Sequence, residues 1–268
     1  MIKEVRISTL EELAPLLYDQ PYNEDISRYR STYVYRGMPD TSFKMATTLK
    51  RNCKHLQKEL EPAILNNFAR YAVMEDPSVT QSVWREMIVG QHHGLPTRLL
   101  DWTHSAIVSL HFATAEPNLE DMDAHDCMIW RIDMKEIHSL LPDKYRAVMR
   151  KYNKTDVFST DMLSEVTTSI AEYDADMNGR AMVVIEPPST DPRIVNQYSF
   201  FSVIPTDMDD IEGFLDTYTE NTVKYVIDKN LRWQVRDVLD QLNMSERIMF
   251  PDLDGLSKWL ARHYFVKD

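Results

Sequence analysis

Residues 91–103, QHHGLPTRLLDWT, admit few backbone paths. Gly94 is the natural left-handed residue after a helix end. Pro96 lacks an N–H and forbids the helix from continuing. TRLLDWT then has to run extended, and Thr103 is placed to cap a following helix. The stretch therefore predicts a helix end, a short buried strand and a helix start. Its Leu-Leu pair lies in the strand, with Arg98, Asp101 and Trp102 close together.

Elements on both sides of this elbow follow from periodicity. Ser8 and Glu11 have capping-box spacing for a helix over roughly residues 9–18. STYVYRG at 31–37 reads as a strand ending at a glycine. Residues 54–74 carry Leu56, Leu60, Ile64, Leu65 and Phe68 at helical spacing, with Pro62 a point of kinking or division. A shorter helix near 80–89 leads into the elbow, and HSAIVSLHFATAE leads out of it. CMIWRI at 127–132, MVVIE at 182–186 and YSFFSVIP at 198–205 are strand candidates, and MVVIE has the apolar run of a strand covered on both faces. VKYVI at 223–227 suits a strand or the start of the next helix. From about Val226 an amphipathic helix is expected, with DGLSKWLARHYF packed beside it. Residues 143–179, rich in charge, Thr and Ser, read as a helical insertion or mobile lid. With no repeats and no low-complexity linker, residues 1–268 read as one α+β domain.

Composition narrows the chemistry. Net charge is −12 and pI about 5.1, so the chain lacks the general attraction that drives nucleic-acid binding or docking on anionic membranes. No apolar run is long enough to span a bilayer. Two cysteines and no secretory pattern at the N-terminus point to a reduced, cytoplasmic setting. Six glycines and no GxxxxGK[ST] or GxSxG exclude a P-loop and a hydrolase elbow. His92, His93, His104 and His111 lack HExxH-type spacing, so no metal is expected.

Three places stand out. Tyr35-Arg36-Gly37 puts a five-donor guanidinium at a strand's end beside a residue that permits close backbone approach, which suits phosphate or carboxylate; a structural ion pair explains it equally well. The elbow is the second place, with a fold-stabilising Arg–Asp pair and a core Trp as the alternative. DPRIVNQYSFF at 191–201 is the third, with Arg193, Asn196 and Gln197 ahead of an aromatic strand.

Together and in this order, these segments resemble the FRG domain family, over about residues 30–260. The resemblance rests on the YRG at 35–37, QHHGLPTRLLDWT followed by a helix ending in Phe112-Ala113, Arg193-Ile194 with Gln197, and FPDLDG at 250–255. Tyr198-Ser199, after Gln197, departs from it where the family pattern has a glycine. A remoter resemblance is to ADP-ribosyltransferases of the Arg-Ser-Glu class, which implies a central mixed sheet like their core, flanked by N- and C-terminal helices. By that likeness the ligand is NAD or a related nucleotide. Arg36 would hold its phosphates, with Tyr35, Gly37, Arg98, Trp102 and Thr103 completing the binding site. Asp101 or Gln197 would engage the ribose, Trp102 or Tyr198 would stack on a ring, and His92 or His93 would serve as acid–base group. Gln197 stands near the place of a catalytic glutamate, and a neutral amide cannot offset an oxocarbenium-like charge. The alternative is a non-catalytic ligand-sensing or protein-interaction module, for instance in phage–host conflict.

Overall fold

The computed structural model describes residues 1–18, 20–152, 157–189 and 191–267. Eight strands form one mixed sheet: β1 (Lys3–Ile7), β2 (Tyr33–Met38), β3 (Leu99–Thr103), β4 (Cys127–Asp133), β5 (Phe158–Ser159), β6 (Val183–Glu186), β7 (Ser199–Val203) and β8 (Val223–Ile227). Their spatial order is β1-β8-β4-β2-β3-β7-β6-β5. The pairs β1–β8 and β5–β6 are parallel and the remainder antiparallel. VKYVI thus resolves as a strand, because β1 and β4 flank it and leave its backbone no room to coil.

The helices that concern the site are α1 (Gln57–Ala72), α2 (Val83–His92), α3 (Ala106–Ala113), α4 (Pro192–Asn196), α5 (Arg232–Gln241) and α6 (Leu253–His263). Pro62 sits within the first turns of α1 without dividing it. The helix expected from Val226 begins only at Arg232, since Val226 and Ile227 belong to β8. At the N-terminus, Glu12 rather than Glu11 reaches back, accepting from the Ser8 N–H at 2.6 Å.

Side-chain alternation divides the core. Val34, Met38, Leu100, Trp102 and Trp130 face one layer, together with Phe214 and Leu215. Tyr35, Ile129 and Tyr225 face the other, against Leu110, Ala113 and Val235. α3 packs directly on β2 at Gly37, where a Cβ would overlap the Ser109 carbonyl oxygen and sit 2.5 Å from the Ala113 nitrogen. A third cluster surrounds β6, built from Trp84, Tyr145, Phe158, Tyr173 and Val183. The described parts of 143–179 are mostly helical, over Asp143–Lys151, Thr160–Val166 and Ile170–Met177, and contribute buried aromatics and a sheet strand rather than a surface flap; residues 153–156 of that segment lie outside the described residues. No described helix is long and apolar enough to cross a membrane.

Candidate functional site

The elbow folds as its sequence dictates. α2 ends in a two-bond cap: the Gly94 N–H donates to the Gln91 carbonyl and the Leu95 N–H to the Gly90 carbonyl. Gly94 has φ +82°, and Leu95 closes over Gly90, as such caps require. Thr103 does not cap α3. That role falls to Ser105, whose hydroxyl accepts from the Val108 N–H, while the Thr103 hydroxyl donates to the Gln197 carbonyl at 2.7 Å.

β2 and β3 meet in a single pair, Tyr35 with Thr103. Beyond it a side chain replaces the ladder: Arg36 Nη1 donates to the Asp101 carbonyl at 2.7 Å and lies 3.7 Å from the Asp101 carboxylate. In β3 the other four residues are buried, whereas the Asp101 side chain is 58 % exposed. Gln91 orients that carboxylate, donating from Nε2 to Oδ2 at 2.9 Å while its own oxygen accepts from the Thr97 hydroxyl at 2.6 Å.

These residues surround a cavity of about 410 Å³, within the usual range for small-molecule sites. Tyr35, Arg36, Gly37, Asp101, Trp102, Thr103 and Gln197 all line it. So do Gln91, Phe112, Arg193 and Phe250, to which the sequence reading assigned no role. The Nε atoms of Arg36 and Arg193 are buried without a hydrogen-bond partner. Burial pulls the Arg36 pKa below its ordinary value, against the opposing pull of Asp101. The Arg193 guanidinium also lies 4.9 Å from the centre of the Phe250 ring.

Three expected site residues are elsewhere. Arg98 is 2 % exposed and locked between Glu61 and Asp174, so its fork is fully used in the fold. His92 and His93 sit at the end of α2 outside the cavity lining, and His92 Nε2 is 3.1 Å from an Asp191 oxygen. Burial lowers the His92 pKa, partly offset by Asp191. Trp102 lines the cavity but is only 3 % exposed, with its Nε1 donating to the Ser202 hydroxyl at 2.9 Å. Its ring is a core element rather than a free platform.

Phe250 arrives from far along the chain for a definite reason. The Asn196 and Gln197 amides donate to the Ile248 and Met249 carbonyls at 2.8 and 2.9 Å, pinning the segment just before it. Gly255, near the start of α6, lets that helix press against the Phe250 backbone. Tyr198, between Gln197 and Ser199, has φ +48°. The departure noted in the sequence is thus a side chain forced into the left-handed region that a glycine occupies freely.

A larger cavity of about 620 Å³ lies between α5 and α6, flanked by Trp233 and Trp259, and contains none of the motif residues. Comparison with curated proteins and with solved structures returns no match for the chain. A family model does match: that of the FRG domain, over residues 31–122. That span contains Arg36, Asp101 and the whole elbow, while Arg193, Gln197 and Phe250 complete the cavity from outside it. The chain thus carries a segment, residues 31–122, that matches the FRG domain.

Proposed function

We propose that this cavity binds NAD or a related nucleotide and that the protein transfers ADP-ribose from it or hydrolyses it. The observation that carries the reading is the convergence of Arg36, Arg193, Asp101 and Gln197 on one pocket. Two guanidiniums with buried, unpartnered Nε atoms favour an anion carrying several oxygens. An unmet buried donor costs about 1–3 kcal/mol, which a phosphate oxygen offsets. The likeness to an ADP-ribosyltransferase core rests on the order of the YRG strand, the LLDWT strand running into α3, and Gln197 ahead of β7. The parting of β2 and β3 beyond Tyr35 and Thr103 supports it by opening the sheet at the cavity.

Cleaving the bond between ribose and nicotinamide leaves the electron pair on the departing ring and positive charge on the sugar. Asp101 is the carboxylate in the cavity to stabilise that charge, held in place by Gln91. Gln197 spends its amide N–H on Met249, leaving its oxygen to accept from a ribose hydroxyl.

Calorimetric titration with NAD tests the binding. Wild type binds and Arg36→Ala loses at least tenfold in affinity, as expected for removing a charge-assisted contact worth about 1.5–3 kcal/mol. Nicotinamide release by wild type, lost in Asp101→Asn, then establishes catalysis. Failure of wild type to bind refutes the reading. The second reading, a ligand-sensing module without chemistry, is favoured by Gln197 standing where a carboxylate would serve better. Binding without nicotinamide release selects it.

A further inference from the structure

A nucleotide held on Arg36 and Arg193 also brings a planar ring to be seated, and Trp102 is buried and tied to Ser202. The structure offers another place. A second cavity, also about 410 Å³, shares Phe112 and Phe250 with the first. These two rings meet edge to face, with centroids 6.4 Å apart and planes at 88°, a favourable aromatic arrangement. Both rings line both compartments, the first of mixed polarity and the second mainly apolar. Phe250 carries a cation toward each side, Arg193 at 4.9 Å from the ring centre and Lys258 at 5.8 Å.

The remaining walls of the second compartment include Ala115, Leu119, Met122 and Ala261. Its carboxylates are already matched: Glu246 with Arg236 and Arg262, Glu116 with Arg232. An uncharged, planar group is what such walls accept, since it requires no desolvated charge. We infer that the apolar compartment, bounded by the Phe112–Phe250 pair, receives the planar ring of a nucleotide whose phosphates lie on Arg36 and Arg193. This assignment rests on the nucleotide reading of the first cavity and adds where the ring goes.

The test compares ADP with inorganic pyrophosphate, which has the charge and no ring. Both are titrated into wild type, Arg36→Ala, Ala261→Phe and Ala115→Phe, with thermal unfolding as the check on folding. Ala261 is exposed on α6, so a larger side chain there fills the compartment without entering the core. Wild type is expected to bind ADP about tenfold tighter than pyrophosphate, the usual worth of one stacked base. Ala261→Phe and Ala115→Phe abolish that preference and leave pyrophosphate affinity unchanged, whereas Arg36→Ala weakens both ligands. Equal affinity of wild type for ADP and pyrophosphate overturns the ring assignment alone, and so does a preference that survives both filled variants. If neither ligand binds wild type, the nucleotide reading itself falls and this inference with it. The wild-type comparison decides even if a filled variant fails to fold.

Discussion

His111 makes the protein acid-sensitive by a calculable amount. It is 1 % exposed at the end of α3, and its Nδ1 lies 3.0 Å from the Arg236 guanidinium, which can only donate. Nδ1 is therefore the acceptor and the ring is neutral. Burial, reinforced by Arg236, pulls its pKa down to about 3 from an ordinary 6.5. A histidine depressed in the folded state stabilises the fold fully above its unfolded value, and that stability drains as pH falls from about 6.5 toward 3. At pH 5 the unfolded ring has taken a proton that the folded ring refuses. The deficit is about 1.5 pH units at about 1.4 kcal/mol each, or about 2 kcal/mol. Glu246, held down to about 2 chiefly by the Arg262 hydrogen bonds against the opposing effect of burial, adds nothing until pH drops below its ordinary 4.5. His111→Asn keeps an acceptor for Arg236 and cannot titrate. Urea unfolding at about pH 7.5 and pH 5 measures the difference: wild type should lose about 2 kcal/mol more than the variant. Equal losses would refute the buried neutral imidazole. The functional consequence follows from position, because His111, Arg236 and Glu246 anchor the segment that delivers Phe250 to the cavity.

Other substitutions probe separate parts of the argument. Gly37→Ala forces a Cβ into the backbone of α3 and should destabilise by about 1–3 kcal/mol in denaturant titration. Tyr198→Gly relieves a left-handed side chain whose ring is 58 % exposed, so it should raise stability by about 0.5–1 kcal/mol in the same assay. Arg98→Ala strands Glu61, itself 2 % exposed, at a cost of about 3–5 kcal/mol measured by loss of thermal stability. A stable Arg98→Ala with weakened nucleotide binding would contradict its placement in the fold's interior.

Much of this arrangement was legible because its signals are local. The end of α2 is written in Gly94 and Pro96, and β3 in the only stretch between them and α3. β2, β4, β6 and β7 announce themselves through β-branched and aromatic runs, and Arg36, Asp101 and Gln197 do share one cavity. What stayed hidden depends on distant partners. Arg98 could be read as a ligand contact because nothing near it reveals Glu61, 37 residues earlier, or Asp174, 76 residues later. His92 and His93 looked chemical in sequence, yet the cap that turns the chain at Gly94 leaves them outside the cavity. Phe250 reaches it with the help of amide contacts from Asn196 and Gln197, a pairing no periodicity encodes. Arg193 is visible within its motif, but its unpartnered Nε belongs to the folded state alone.

The central claim is that Arg36 and Arg193 form one phosphate clamp beside Asp101. A crystal structure of the protein with ADP-ribose tests it most directly. The account predicts the diphosphate hydrogen-bonded to both guanidiniums, with a ribose hydroxyl against Asp101 or Gln197. A diphosphate bound elsewhere, such as between Trp233 and Trp259, with the Arg36 cavity untouched, would contradict it.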